Sequence, residues 1–128
     1  MRFLLDTHVL LWYLLGDPQL SAKAKKIVDA GNNLHFSVAS LWEISIKINI
    51  GKLQINHPFH ELAEQLDLNN IELLSISFDD LKTYVELPLM EHRDPFDRIL
   101  AAQALTSSLT LISRDPKLDL YSVQRLWS

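Results

Sequence analysis

The sequence predicts an α/β protein in which helices cover both faces of a mainly parallel sheet, a three-layer α/β/α sandwich. Short apolar runs alternate with longer segments of helical periodicity along the whole chain, as in consecutive βαβ units. Capping or helix-breaking residues bound most of the helical segments. The chain has 128 residues, a length that suits one core, so we expect a single domain over residues 1–128.

The predicted strands are apolar runs that are too short to be typical helices. Most of them are rich in leucine and isoleucine, as expected for strands buried on both faces. Four are expected at residues 2–5, 34–38, 71–76 and 109–112, and residues 122–126 form a candidate short fifth strand.

The predicted helices begin at capping residues and end at helix breakers. Ser21 and Ser77 are N-cap candidates, and Pro95 suits the first helical position. Gly31 and Gly51 are typical of residues that end a helix. With their caps included, the helices are expected at residues 8–15, 21–30, 40–50, 58–68, 77–86 and 94–107.

The composition restricts the chemistry and the location of the protein. The chain has no cysteine, which excludes disulfides and thiolate metal sites and favours hard ions such as Mg²⁺ or Mn²⁺ on oxygen or imidazole ligands. The net charge of −4 argues against a generic nucleic-acid coat, but it does not exclude an enzyme that acts on nucleic acid. No apolar run is long enough to span a bilayer, so we expect a cytoplasmic protein that does not bind membranes.

Four acidic residues lie at joints between predicted elements. Asp6 and Asp115 follow strands, and Glu43 and Asp97 lie in the expected first turns of helices. Ligands of parallel α/β folds bind beyond the carboxyl ends of the strands, so these acids are expected at one edge. Carboxylates are costly to bury unless they are paired, and a divalent cation is the usual reason for such a cluster. We therefore predict that these four acids bind a catalytic metal ion.

Each acid also has a structural interpretation. Asp6 would cap the first helix, and Asp115 would begin a turn before Pro116. Glu43 would pair with Lys47, four residues later on the same helix, in a surface ion pair.

The neighbours of Glu43 favour the functional interpretation. Trp42, Ile46 and Ile50 occupy a further face of the predicted helix. Apolar residues on that face leave little of the helix for solvent, so we expect Glu43 to be enclosed.

Asp94 and Asp97 are three residues apart and share a helix face. Asp94 is well explained as an N-cap before Pro95, whereas Asp97 is not, so Asp97 ranks as the ligand and Asp94 as a cap or supporting partner. Ala101 continues the same face, and its small side chain would leave room for a ligand or metal.

Several neighbouring side chains are secondary candidates. Thr7 offers a hydroxyl beside Asp6, and Ser113 would orient a carboxylate or a water. His8 and His92 lie near the acidic motifs and would take a secondary role. Flanking cations would contact substrate phosphates or balance the charge of the carboxylates. These cations are Lys47, Arg93, Arg98 and Arg114.

Four segments together resemble the PIN-domain family, and specifically its VapC-type toxin ribonucleases. The segments are LLDTHVLLWYL, SVASLWEISIK with GKL following, DPFDRILAAQA and LISRD. By motif position, Asp6, Glu43 and Asp97 match the acidic triad of the family and Asp115 matches its more variable fourth acid. Asp94 departs from the commonest pattern, as in a subset of the family.

The resemblance implies a PIN-like fold and a metal-dependent endoribonuclease with one or two Mg²⁺ or Mn²⁺ ions. It also implies dimerisation and a small antitoxin protein that inserts into the active-site groove.

Two other functions are considered. A non-enzymatic binding module on the same scaffold is disfavoured by the intact acidic set. A Mg²⁺-dependent phosphatase would usually need a second acid two residues after a nucleophilic aspartate, and His8 occupies that position.

Overall fold

The computed structural model describes residues 1–89 and 94–128, and this part of the chain forms a five-stranded sheet. Its strand order is β3-β2-β1-β4-β5, and every pairing is parallel. The sheet confirms the predicted fold class, including the fifth strand. The strands are β1 (Phe3–Leu5), β2 (Leu34–Ser37), β3 (Ile71–Leu74), β4 (Thr110–Ile112) and β5 (Arg125–Leu126).

Six α-helices and two 3₁₀ helices occur in the described residues. Ser21, Ser77 and Asp94 cap their helices as expected, each accepting a backbone N–H bond. Within the same residues, no helix has the length and apolarity needed to cross a membrane. The α-helices are α1 (Thr7–Leu15), α2 (Ala22–Ala30), α3 (Val38–Asn49), α4 (Leu62–Leu68), α5 (Phe78–Glu86) and α6 (Pro95–Ser107), and the 3₁₀ helices are Phe59–Glu61 and Pro116–Tyr121.

Helices cover both faces of the sheet, as predicted. Alternate residues of β1 enter different cores: Leu5 packs with Val9 of α1, whereas Leu4 packs with Leu100 of α6. This follows from the two-residue period of a strand. The first core also receives residues of α2 and α4, and Tyr84 of α5 packs against the second.

The start of α3 corrects one boundary. β2 passes directly into α3, and the Ser37 side chain accepts a hydrogen bond from the Ala39 N–H at 3.0 Å. The helix therefore begins two residues before the predicted start at residue 40. Glu43 consequently lies in the second turn of α3 and not in the first, as had been expected.

The connectivity creates a crevice at the carboxyl end of the sheet. β1 lies at the centre with β2 on one side and β4 on the other, so the strand order reverses between β1 and β4. The Asp6 N–H donates to the Ile112 carbonyl at 3.1 Å, which holds the ends of the two strands together. Such switch points are the usual ligand sites of open parallel sheets.

Candidate active site

Asp6 is a buried carboxylate at the switch point. Its residue is 6% exposed, and its Oδ1 accepts the Val9 N–H at 2.8 Å, which confirms the predicted helix cap. Burial raises the pKa of Asp6 above its ordinary value of 3.8. Hydrogen bonds from Ser113 and Val9 and the charge of His8 lower this pKa, and the charge of Glu43 raises it further.

Ser113 connects the two acids that follow strands. Its fully buried hydroxyl donates to the Asp6 carboxylate and accepts the Asp115 N–H at 3.1 Å. The Asp115 carboxylate accepts the Lys117 N–H at 3.0 Å and begins the 3₁₀ helix Pro116–Tyr121. Asp115 therefore has the turn role that its sequence context indicated, and its backbone belongs to the same network as Asp6.

Glu43 is enclosed, although not for the predicted reason. Its side chain is 14% exposed, and its Oε2 lies 3.7 Å from Lys47 Nζ, so the expected ion pair forms but is not a fully exposed one. The expected burial of the Trp42 and Ile50 face is wrong, because these residues are 63% and 57% exposed. α3 instead packs on α1 and α6.

A pair of hydroxyls aligns α1 with α3. The Thr7 hydroxyl donates to the Ser40 hydroxyl at 2.9 Å, and both residues are buried. Thr7 follows Asp6 directly, and Ser40 lies three residues before Glu43. The bond therefore fixes the two helices beside both acids, and the Thr7 hydroxyl is engaged in this contact.

The remaining acids, Asp94 and Asp97, lie at the N-terminus of α6. The Asp94 carboxylate accepts the Phe96 N–H at 2.9 Å and the Asp97 N–H at 3.4 Å, which confirms its role as a cap. Asp97 lies in the first turn and is half-buried. The Phe96 ring meets the Trp42 ring edge-on, with centroids 5.2 Å apart. This contact joins α6 to α3 one residue away from Asp97 and from Glu43.

The next turn of α6 corrects another expectation. Ala101 is fully buried among the residues of the second core, so it leaves no room for a ligand. The ligand-facing part of α6 is limited to its first turn.

The acid-lined cleft opens beside Asp6 with a volume of about 320 Å³. The Arg114 guanidinium lies 4.6 Å from the centroid of the Trp12 ring. The ring centroid of the exposed His8 lies 5.7 Å from that of Trp12. The sequence indicated Arg114 as a phosphate contact or a balance of carboxylate charge and His8 as a secondary candidate, but it did not predict their contacts with Trp12. The cleft is lined by Asp6, His8, Trp12, Arg114, Asp115 and Pro116.

Arg98 does not have the predicted role of a phosphate contact. It is 5% exposed, donates to the Pro88 carbonyl at 2.8 Å and stacks on the rings of Tyr84 and Tyr121. A cation enclosed in this way stabilises the packing of α5, α6 and the 3₁₀ helix Pro116–Tyr121. The other expected cation Arg93, and His92, lie outside the described residues.

The donor atoms at this edge suit a hard divalent ion. In residues 1–89 and 94–128, no three or more His, Cys, Asp or Glu side chains are grouped closely enough to hold a metal. Mg²⁺, however, is usually held by one or two carboxylates and several waters. The enclosed carboxylates of Asp6 and Glu43, which interact electrostatically, fit such water-assisted binding. A bound cation would also offset the burial that raises the pKa of Asp6.

Comparison with known proteins gives matches over nearly the whole chain. The family model of the PIN domain matches residues 3–124. Ribonuclease VapC22 of Mycobacterium tuberculosis is 26% identical over 115 residues, which cover 90% of this chain and 88% of that protein.

Two solved structures share the fold. VapBC2 from Rickettsia felis, solved bound to a DNA fragment from its promoter, has a chain with 18% identity and a TM-score of 0.70, and the match covers 100% of both chains. A toxin–antitoxin complex from Klebsiella pneumoniae has a chain with 23% identity and a TM-score of 0.60, and the match covers 91% of this chain and 88% of that one.

Proposed function

Because this chain belongs to the PIN domain family, we propose that it is a metal-dependent endoribonuclease and the toxin of a toxin–antitoxin module. The observation that carries the proposal is the buried Asp6 carboxylate at the switch point, which Ser113 links to Asp115 and whose pKa responds to the charge of Glu43. The relative that is named a ribonuclease supports the reaction. We also propose that residues 1–128 form a single PIN domain.

We assign the metal to the acids at the carboxyl end of the sheet. Asp6, Glu43 and Asp97 would hold one or two Mg²⁺ or Mn²⁺ ions, with Asp115 as the fourth acid. When bound, the cation supplies Lewis-acid activation of a water and of the scissile phosphodiester. The reaction is then hydrolysis of an RNA phosphodiester bond.

The chain's own residues fix this site before any ligand arrives. Val9 and Ser113 hold the Asp6 carboxylate, and Lys47 holds Glu43. Because metal ligands must be deprotonated, the raised pKa of Asp6 couples cation binding to pH. Cation binding and cleavage therefore weaken as the pH falls through that pKa.

The partners follow from the reaction and from the relatives. We propose that the substrate is RNA and that the protein acts in the cytoplasm. A structure of similar fold is a toxin–antitoxin complex, which supports a cognate antitoxin for this chain. The antitoxin would act by occupying the active-site groove, where it excludes RNA.

A homodimer is proposed at a second concave surface, the apolar groove between α3, α5 and α6. This groove has a volume of about 250 Å³ and includes Trp42, Leu81 and Phe96 in its lining. Trp42 and Leu81 in the lining are 63% and 47% exposed, and Val85, four residues after Leu81 on α5, is 82% exposed. Apolar surface of this kind on two neighbouring helices suits a self-complementary contact with a second copy of the chain.

Cleavage of labelled single-stranded RNA with Mg²⁺ or Mn²⁺ tests the function. We expect wild-type cleavage that EDTA abolishes, and a loss of about 100-fold or more in Glu43→Gln and Asp97→Asn, since these changes remove carboxylates that would hold the ion. Glu64→Gln is the matched control, because this exposed carboxylate on α4 lies outside the site. A folded wild-type chain that binds RNA without cleaving it would instead indicate a binding module.

A further inference from the structure

Arg114 is a cation placed beside two acids without being paired to either. It lines the acid-lined cleft together with Asp6 and Asp115. Among residues 1–89 and 94–128, its contacts are the Trp12 ring at 4.6 Å and the Gln19 side-chain oxygen at 3.5 Å, a distance at the limit of a hydrogen bond. An ion pair with a carboxylate of the described residues therefore does not account for its position.

The indole under Arg114 is a rigid platform. Trp12 is 8% exposed, and its ring centroid lies 5.7 Å from that of His8 and 5.8 Å from that of Trp127. A guanidinium stacked on a fixed ring keeps its planar N–H donors available for an oxyanion. Arg114 itself is exposed, so an incoming phosphate reaches it without a change in the packing.

His8 adds a second ring to the same cleft, next to the same indole. Its residue is exposed, and its ring is tilted by 34° to that of Trp12. An exposed aromatic ring beside a phosphate-binding cation is a typical surface for stacking an unpaired base. A base inside a duplex is already stacked and does not present its face to such a ring.

We propose that Arg114 and His8, supported by Trp12, form a subsite for single-stranded RNA in which Arg114 binds a phosphate adjacent to the scissile one and His8 stacks an unpaired base. This inference rests on the proposed ribonuclease function and deepens it. It assigns substrate positioning to residues other than the acidic ligands.

Steady-state cleavage of a fluorescent single-stranded RNA tests the subsite through the separation of KM from kcat. We expect KM to rise about tenfold in Arg114→Gln and at least about fivefold in His8→Ala, with kcat much less affected. His8→Phe keeps a stacking ring and should stay within about twofold of wild type. The slope of log KM against log salt should fall by about 0.7 in Arg114→Gln, as expected for one lost phosphate contact on a single strand.

Lys117→Gln is the matched control for charge. Lys117 is exposed on the same surface, only its backbone N–H takes part in the Asp115 turn, and its side chain is not part of the cleft lining. It should leave KM unchanged. Arg114→Lys keeps the charge without the planar donors and should give an intermediate KM, and thermal melting of each variant verifies that it is folded.

Three results would overturn the subsite. One is an unchanged KM in both Arg114→Gln and His8→Ala while the wild type cleaves RNA. Another is an equal effect of Lys117→Gln and Arg114→Gln, and the third is equally efficient cleavage of a duplex of the same sequence. A wild-type chain that neither binds nor cleaves RNA would overturn the proposed function and the subsite together.

Discussion

The acid-lined cleft and the apolar groove are built by different parts of the fold. The cleft takes its acids from residues that follow strands, with Asp6 directly after β1 and Asp115 three residues after β4, and hydrogen bonds hold them in place. The groove takes its lining mainly from helix faces, with Trp42 and Leu81 on either side. Backbone connectivity fixes the first surface, and the choice of side chains on helices fixes the second. Changes in one surface should therefore leave the other surface's function intact.

The largest effect is expected from Asp6→Asn in the cleft. We expect a loss of RNA cleavage of about 100-fold or more together with a higher melting temperature in EDTA at pH 7. The neutral amide keeps the oxygen that accepts the Val9 N–H but removes the buried charge whose pKa is raised by burial. Cleavage assays and thermal melts measure the two effects.

The difference in stability between Asp6→Asn and the wild type should depend on pH. A native carboxyl with a raised pKa binds its proton more tightly than the unfolded one, so wild-type stability falls as the pH rises from 3.8 through the native pKa. The stability advantage of Asp6→Asn should therefore be complete above the native pKa and disappear below about pH 4. A variant that is less stable than wild type at pH 7 in EDTA would contradict this account.

An intermediate effect is expected in the apolar groove. Val85→Glu places a charge on its most exposed apolar neighbour and should weaken the proposed homodimer by about tenfold or more, because an unpaired charge is costly to bury. Light scattering after size-exclusion chromatography measures the dissociation. The melting temperature of the monomer should hardly change, since Val85 is 82% exposed.

Leu68→Glu is the control for this change. Leu68 is also an exposed apolar residue, at 73%, but it lies at the end of α4. It should leave the dimer intact. Equal dissociation of both variants, or a wild-type chain that is monomeric at high concentration, would remove the groove as the dimer interface.

The smallest effects separate the helix caps from the ligands. Asp115→Asn should lower cleavage by about tenfold or less, because its side-chain oxygen can still accept the Lys117 N–H.

Cleavage by Asp94→Asn should lie within about twofold of wild type, since asparagine caps helices as well as aspartate does. Asp94→Ala should cost about 1 kcal/mol of unfolding free energy, which denaturant titration measures. A loss in Asp94→Asn as large as that in Asp97→Asn would make Asp94 a ligand.

The sequence predicted the sheet and the position of Asp6 because both depend on local patterns. The apolar runs define parallel strands, and an acid directly after a strand must lie at its carboxyl end. The exposure of Trp42 and Ile50 was not predictable, because an apolar helix face has the same period whether it packs on the core or remains on the surface. The burial of Arg98 was equally hidden, since arginine is rarely enclosed and its two tyrosine partners are distant in sequence.

The central place of β1 has a consequence for how the protein comes to be active in a growing cell. β1 is synthesised before β4, but it needs β4 to complete its pairing. The Ser113 hydroxyl that holds Asp6 arrives only with that late strand. An incomplete chain is therefore expected to lack the assembled site, so the proposed RNA cleavage would begin only after β4 has been translated.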